Sequence, residues 1–310
     1  MPTRKGRATS TKLRGRAIEI DDALLRRLRL PELDEEADKE SRGRVLIVAG
    51  SAQMPGAAVL AGTGALRAGA GKLQIATAAS VAVVVGVAVP EARVFALPET
   101  LAGAIAGKGL SGCDCDPAEA RAVLVGPGML DGEASEELVR EVVRLACGAT
   151  LILDANALNV LAREPKLLKL HDSGAILTPH DTELSEMSEE TEKEITRDRR
   201  SAALRSAKQF GAVVALKGRE TFVASPHSKK VYVNHAGNVG LATSGSGDVL
   251  AGVIAGLAAR GADALTATIW GVHAHALAGE KLARRVGRVG YLARELLDEI
   301  PAVLTSLKKG

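Results

Sequence analysis

The chain has 310 residues, of which 46% are hydrophobic and only 2% aromatic, and its formal net charge is +3. Such a chain can bury a sizeable core of Ala, Val, Leu and Ile. The small charge and scarce aromatic rings argue against a nucleic-acid partner, which needs a basic face and stacking platforms. A membrane partner is not expected either, because the apolar run at 81–89 is too short to cross a bilayer and ends at Pro90.

In chain order, residues 1–16 carry six Lys/Arg and no acid and read as a solvated tail, while 34–40 are mostly acidic. No apolar stretch with a small-residue cleavage site opens the chain, so secretion is not expected. Residues 1–40 are thus read as an extension, and 41–310 as a single catalytic domain. The apolar run at 44–49 predicts a buried strand, 56–68 a small-residue helix, and 73–77 the next strand. Strands follow at 122–125 and 150–153, with a helix over 134–145 between them. Further strands are expected at 175–177 and 212–216, the latter after a helix over 201–209. This alternation predicts βαβ units and a mostly parallel sheet, hence an α/β fold. Segments 221–224 and 230–233 flank Ser225-Pro-His-Ser228 and read as a hairpin. Helices follow over 248–260 and 262–283, broken at Gly261, and a tail helix over 291–300 is expected to stop before Pro301. The three cysteines lack a second metal-ligand pair at zinc spacing and read as free thiols in a reducing cytoplasm.

Ligands of open parallel sheets sit beyond the carboxyl ends of strands. The predicted strand ends here carry Gly50-Ser51, Gly126-Pro127-Gly128, Asp154-Ala155-Asn156, Thr178-Pro179-His180-Asp181-Thr182-Glu183 and Lys217-Gly218-Arg219-Glu220-Thr221. One such end would be a turn, whereas five suggest a cleft along one sheet edge. The most informative segment runs from Asn238 through Thr243-Ser244-Gly245-Ser246-Gly247-Asp248 into a helix. Its glycines let the backbone approach an anion, and N–H groups at a helix start favour a phosphate. Asp248 is either a plain helix cap or a base beside a phosphoryl group. Gly71-Lys72 is followed by Leu73, so it is no P-loop, and no GxGxxG occurs.

This ordered set resembles the NAD(P)H-hydrate dehydratase family. The matching pieces are Gly50-Ser51, Gly56-Ala57-Ala58, Ala65 to Gly71, Gly126-Pro127-Gly128, Asp154-Ala155-Asn156-Ala157-Leu158, Thr178-Pro179-His180, Leu216-Lys217-Gly218 and Ala242 to Asp248. The resemblance implies a ribokinase-like three-layer sandwich with a mostly parallel central sheet. It implies repair of hydrated nicotinamide cofactors, in which ADP or ATP, with Mg2+, phosphorylates the added hydroxyl and phosphate then leaves. ADP is the expected donor. Asp248 would be the catalytic base. Gly69, Gly128, Asn156, His180, Asp181, Thr182, Glu183 and Asp248 would hold the NAD(P)H hydrate. Lys217, Gly218, Arg219, Glu220, Thr221, Asn238, Thr243, Ser244, Gly245, Ser246 and Gly247 would hold the nucleotide. The family more often has Thr at the position of Ser246, so a hydroxyl is retained, but Asp181-Thr182 replaces its usual Pro-Gly, and Glu40-Ser41-Arg42-Gly43 departs from its His-Lys-Gly. About 40 residues precede the first predicted strand, too few for the epimerase domain fused in many relatives. A ribokinase-like kinase of a vitamin-precursor alcohol would use the same turn but release a stable phosphorylated product. A non-catalytic nucleotide-binding regulator would not need Asp248. Self-association is expected from the small-residue and apolar helices.

Overall fold

The computed structural model describes residues 16–32, 36 and 38–309. The basic tail read at 1–16 lies almost wholly outside them. Strands are β1 (Arg16–Glu19), β2 (Arg44–Val48), β3 (Lys72–Ala78), β4 (Ala92–Leu97), β5 (Ala122–Val125), β6 (Thr150–Leu153), β7 (Ala175–Leu177), β8 (Val213–Leu216), β9 (Thr221–Ala224) and β10 (Lys230–Asn234). Helices are α1 (Asp22–Arg27), α2 (Pro55–Arg67), α3 (Ala79–Ala88), α4 (Glu133–Leu145), α5 (Asn156–Arg163), α6 (Asp181–Met187), α7 (Glu192–Arg197), α8 (Arg199–Phe210), α9 (Ser246–Ala259), α10 (Ala264–Arg285) and α11 (Ala293–Lys309).

All strands join one sheet in the order β1-β10-β9-β8-β7-β6-β5-β2-β3-β4. Only β9 runs antiparallel to its neighbours, because the Ser225-Pro226 turn sends the chain straight back as the hairpin pattern predicts. Alternate strand residues feed two separate cores. Val45, Ile47, Leu124, Ile152 and Ile176 pack under α2, α9, α10 and α11. Leu46, Val48, Val123, Val125, Leu151 and Leu153 pack under α4, α5 and α8. That period of two with both faces buried is why the strands read as unbroken apolar runs, and it makes three layers.

From β2 the chain crosses one way to β3 and β4, and from β5 the other way to β6, β7 and β8. The switch point therefore lies between β2 and β5, where a crevice opens at the carboxyl edge. The turns there are stitched together, since the Gly50 N–H donates to the Pro127 carbonyl at 2.8 Å. The small residues of α2 let α9 come close: a Cβ on Gly64 would stand 3.0 Å from the Val249 carbonyl oxygen. α9 is thereby seated over the sheet with its first turn at the crevice.

Four sequence expectations need amending. β1 and α1 fall inside the segment read as an extension, yet β1 pairs with β10 and Leu24 and Leu25 are core residues; four edge residues are too few to show a period. β4 and α3 were not anticipated, because exposed valines on α3 mask its periodicity. α11 passes through Pro301 rather than ending before it. Leu296, Ile300, Val303, Leu304 and Leu307 remain buried on either side of the proline, and that packing outweighs the one hydrogen bond lost. Finally, Cys113 and Cys115 are paired as a disulfide and only Cys147 is free; the Gly/Asp-rich loop folds the two side chains together, with Cα atoms 5.2 Å apart.

Candidate active site

The turn before α9 leaves backbone donors unpaired at a helix start, a geometry that suits an anion. Gly245 caps the helix at φ +86°, a left-handed conformation that other residues adopt only with strain. The Ser246 N–H donates back to the Thr243 carbonyl at 3.2 Å, and the Val249 N–H to the Gly245 carbonyl at 3.1 Å. No acceptor among the described residues meets the N–H groups of Gly245, Gly247 or Asp248. Three donors thus stand free at the positive end of a 14-residue helix. Thr243 and Ser244 form the open rim of this turn.

The Ser246 hydroxyl does not share in that opening. It is buried and hydrogen-bonds His275 Nε2 at 3.1 Å. Burial pushes the His275 pKa down to about 4, so the ring is neutral and acts as a prop beneath the turn. The hydroxyl retained at this position therefore supports the loop from inside. His273, two residues away and facing elsewhere, bonds Asn234 Oδ1 at 2.7 Å.

Asp248 occupies the third helical position. Its carboxylate folds back over the turn, with Oδ2 about 4.0 Å from where a Gly245 Cβ would lie. Burial, and then the nearby Asp154 charge, push its pKa up to about 6, against the pull of Lys217. At neutral pH the carboxylate is largely ionised, yet close enough to its pKa to take and return a proton. Among the described residues none donates to it the side-chain or backbone hydrogen bond that would mark a plain cap.

Lys217, at the end of β8, points into the same space. A Cβ on Gly247 would stand 3.7 Å from its Nζ. The ammonium donates to Asp154 Oδ1 at 2.9 Å and lies 3.8 Å from Glu183 Oε2. Burial opposes its charge, but Asp154 and Glu183 outweigh that and raise its pKa. Asp154 is itself buried and also accepts from Thr178 Oγ1 at 2.6 Å. The ends of β6, β7 and β8 are thus tied into one charged cluster beside the anion seat.

The other expected site residues divide. His180 caps α6 through a reciprocal box: its Nδ1 accepts from the Glu183 N–H, and Glu183 Oε2 accepts from the His180 N–H. Asp181 is engaged by Arg199 at 2.8 Å, and Thr182 is exposed. Gly128 lies on the crevice floor, where a Cβ would stand 2.6 Å from the Ala57 Cβ at the start of α2. Asn156 opens α5 nearby, and its buried Oδ1 has no partner. Gly218, Arg219 and Thr221 continue the β8–β9 turn, and the Glu220 carboxylate holds His235 at 2.8 Å. Asn238 serves locally, since its Oδ1 accepts from the Gly240 N–H and the Tyr291 hydroxyl, while its buried Nδ2 is unpartnered.

Gly69 does not join them. It sits beyond the carboxyl end of α2, against Arg260 at the far end of α9, about 20 Å from Asp248 at 1.5 Å of rise per residue. A motif match places a glycine in sequence, but a helix carries the chain to the other sheet edge. Conversely, Asp154, Thr178, Arg199 and His275 belong to the site's frame, yet none was expected as a site residue; Asp154 and Thr178 figured only as parts of strand-end motifs. For Asp154 the signal was present, as it directly follows a predicted strand; Arg199 and His275 lie in helices remote in sequence from the residues they meet.

The family model described as NAD(P)H-hydrate dehydratase matches residues 45–302. An ADP-dependent (S)-NAD(P)H-hydrate dehydratase of Xanthomonas campestris is 47% identical over 273 residues, 88% of this chain and 92% of that protein. Among solved structures, the ADP/ATP-dependent NAD(P)H-hydrate dehydratase of Bacillus subtilis, co-crystallized with ATP/Mg2+, superposes with a TM-score of 0.78 at 32% identity, covering 93% of this chain and 97% of that one. A ribokinase-like superfamily protein of Enterococcus faecalis shares the fold, with a TM-score of 0.79 at 24% identity over 94% of this chain and 96% of that one. The chain has the ribokinase-like fold and belongs to the NAD(P)H-hydrate dehydratase family.

Proposed function

We propose that this protein is a hydro-lyase that restores NADH or NADPH from the (6S)-hydrate, using ADP as phosphoryl donor and releasing AMP and phosphate. The observation that carries the reading is the pairing of a free N–H seat with a raised, ionisable carboxylate at one helix start. The seat neutralises charge on the transferred phosphoryl group, and Asp248 removes the proton from the hydroxyl that attacks it. The oxygen–phosphorus bond forms as the bond to AMP breaks. Phosphate is a good leaving group where hydroxide is not. Its departure, with loss of a ring proton, restores the nicotinamide double bond.

Lys217 stands beside the seat to meet phosphate oxygens, and the β8–β9 turn from Gly218 to Thr221 is the nucleotide side of the cleft. Gly128, Asn156 and the turn from His180 to Glu183 form the dinucleotide side. Gly69 stands outside this cleft and is not included. Mg2+ fits as a companion of the nucleotide rather than as a resident ion. Mg2+ commonly rests on substrate phosphates with one or two protein carboxylates. When bound it would supply charge neutralisation between phosphates, and Asp248 or Asp154 would be the carboxylates to hold it. No helix among the described residues is long and apolar enough to cross a membrane, and we place the enzyme in the cytoplasm, working as a homo-oligomer.

The test is direct. The protein is incubated with hydrated NADH and either ADP or ATP, with magnesium, and the absorbance of reduced nicotinamide is followed. Recovery with ADP is expected. A stable phosphorylated product without recovery would favour a small-molecule kinase instead.

A further inference from the structure

The two sides of the proposed cleft belong to different turns, joined by the Lys217 N–H donating to the Pro179 carbonyl at 2.8 Å, and one further side chain grips both. Arg199 opens α8 and is only 14% exposed. Its Nε donates to Asp181 Oδ1 at 2.8 Å, on the dinucleotide side. Its Nη1 donates to the Glu220 carbonyl at 2.5 Å, and its Nη2 to the carbonyls of Lys217 at 2.6 Å and Leu216 at 3.3 Å, on the nucleotide side. The guanidinium also lies over the Phe222 ring, 5.5 Å from its centre. Gly218 has no room for a side chain, because a Cβ there would strike this guanidinium. One planar fork therefore meets a carboxylate and three carbonyls at once, which a lysine's point charge cannot do.

We infer that Arg199 is a positioning residue that locks the His180–Glu183 turn and the Lys217–Glu220 turn into one rigid unit, so that the dinucleotide and nucleotide sides of the cleft are set by the same side chain. It touches neither the seat nor Asp248. It acts through Lys217, whose carbonyl it grips and whose ammonium stands beside Gly247, and through Asp181 at the start of the helix that carries Glu183.

The mechanical half of this inference is read without turnover. Amide hydrogen exchange in Arg199→Ala is expected to speed at least tenfold in residues 181–184 and 217–221 together, with the β2–β5 edge unchanged. The functional half rests on the reading proposed above. There the KM for ADP and for the hydrated dinucleotide should each rise about tenfold, while kcat falls less. Methylguanidinium should partly rescue Arg199→Ala. Arg199→Lys, which keeps charge but can satisfy one turn only, should restore protection to one turn and not both. Gly218→Ala pushes the fork aside with Arg199 retained, and should loosen both turns if the lock is real. Should Arg199→Ala not fold, the Gly218→Ala protein carries the same comparison. In Arg199→Ala or Gly218→Ala, loosening of one turn alone, or unchanged exchange in both, would overturn the lock. Loosening of both turns without turnover in the wild type would leave the lock standing and remove the proposed activity.

Discussion

The Asp248→Asn substitution separates the chemistry of this carboxylate from its energetic burden. Burial, and then the Asp154 charge, push the Asp248 pKa up to about 6 from the ordinary carboxylate value of 3.8. The folded state therefore binds this proton more tightly than the unfolded chain does. Its stability contribution is lost as pH rises, beginning near the unfolded value and complete above pH 6. A shift of roughly two units corresponds to about 3 kcal/mol at most, and partial solvent access at the turn reduces this to about 2 kcal/mol. Asparagine has nearly the same shape and no charge. The variant should therefore be more stable than the wild type by about 2 kcal/mol at pH 8, a rise of about 3 °C in Tm for a chain of this size. The gain should shrink through pH 5 and vanish near pH 4. Turnover should meanwhile fall by about 10²–10⁴-fold, the usual contribution of a general base, while ADP binding is retained. Thermal unfolding of both proteins across pH 4–8 reads the first effect, and cofactor recovery reads the second. A Tm difference that is absent or independent of pH would refute the argument that burial and Asp154 hold this carboxyl up. Unchanged turnover would remove Asp248 from the mechanism.

The wild-type kcat/KM should fall on the acid side with a limb near pH 6 as Asp248 protonates; a flat profile down to pH 5 would contradict its role as base. His275 titrates in the opposite sense. Its folded pKa of about 4 lies below the ordinary 6.5, so its contribution is intact above pH 6.5 and is lost as pH falls toward 4; His275→Gln should flatten that acid loss in thermal melts, and a loss as steep as the wild type's would refute it. Lys217→Met should destabilise by about 3–5 kcal/mol in denaturant unfolding, since it leaves Asp154 buried without its cation. Adding Asp154→Asn should return much of that loss, and additive effects would show that the pair is not coupled. Gly245→Ala should impair turnover and lower Tm, because a Cβ at φ +86° would be strained and would stand 2.5 Å from Leu60.

Much of the architecture was legible in the residues. The apolar runs at 44–49, 122–125 and 150–153 read as buried strands, and their polar ends pointed to one edge. The run Gly245-Ser246-Gly247-Asp248 before an Ala/Val-rich stretch announced a helix start with an anion seat. These features are local: a glycine's φ, a helix's free N–H groups and a strand's period are set within a few residues. What the tertiary structure alone decided is which of these pieces meet. It separated Gly69 from the cleft, because α2 carries the chain across the sheet. It turned the Ser246 hydroxyl inward to His275, 29 residues away. It raised Asp248 through burial and then through Asp154 at the end of β6, and it gave Arg199 two turns to hold. Sequence fixes what each residue can do; burial and charge between distant residues depend on packing, and only the folded sheet brings their fields and hydrogen bonds to bear on one another.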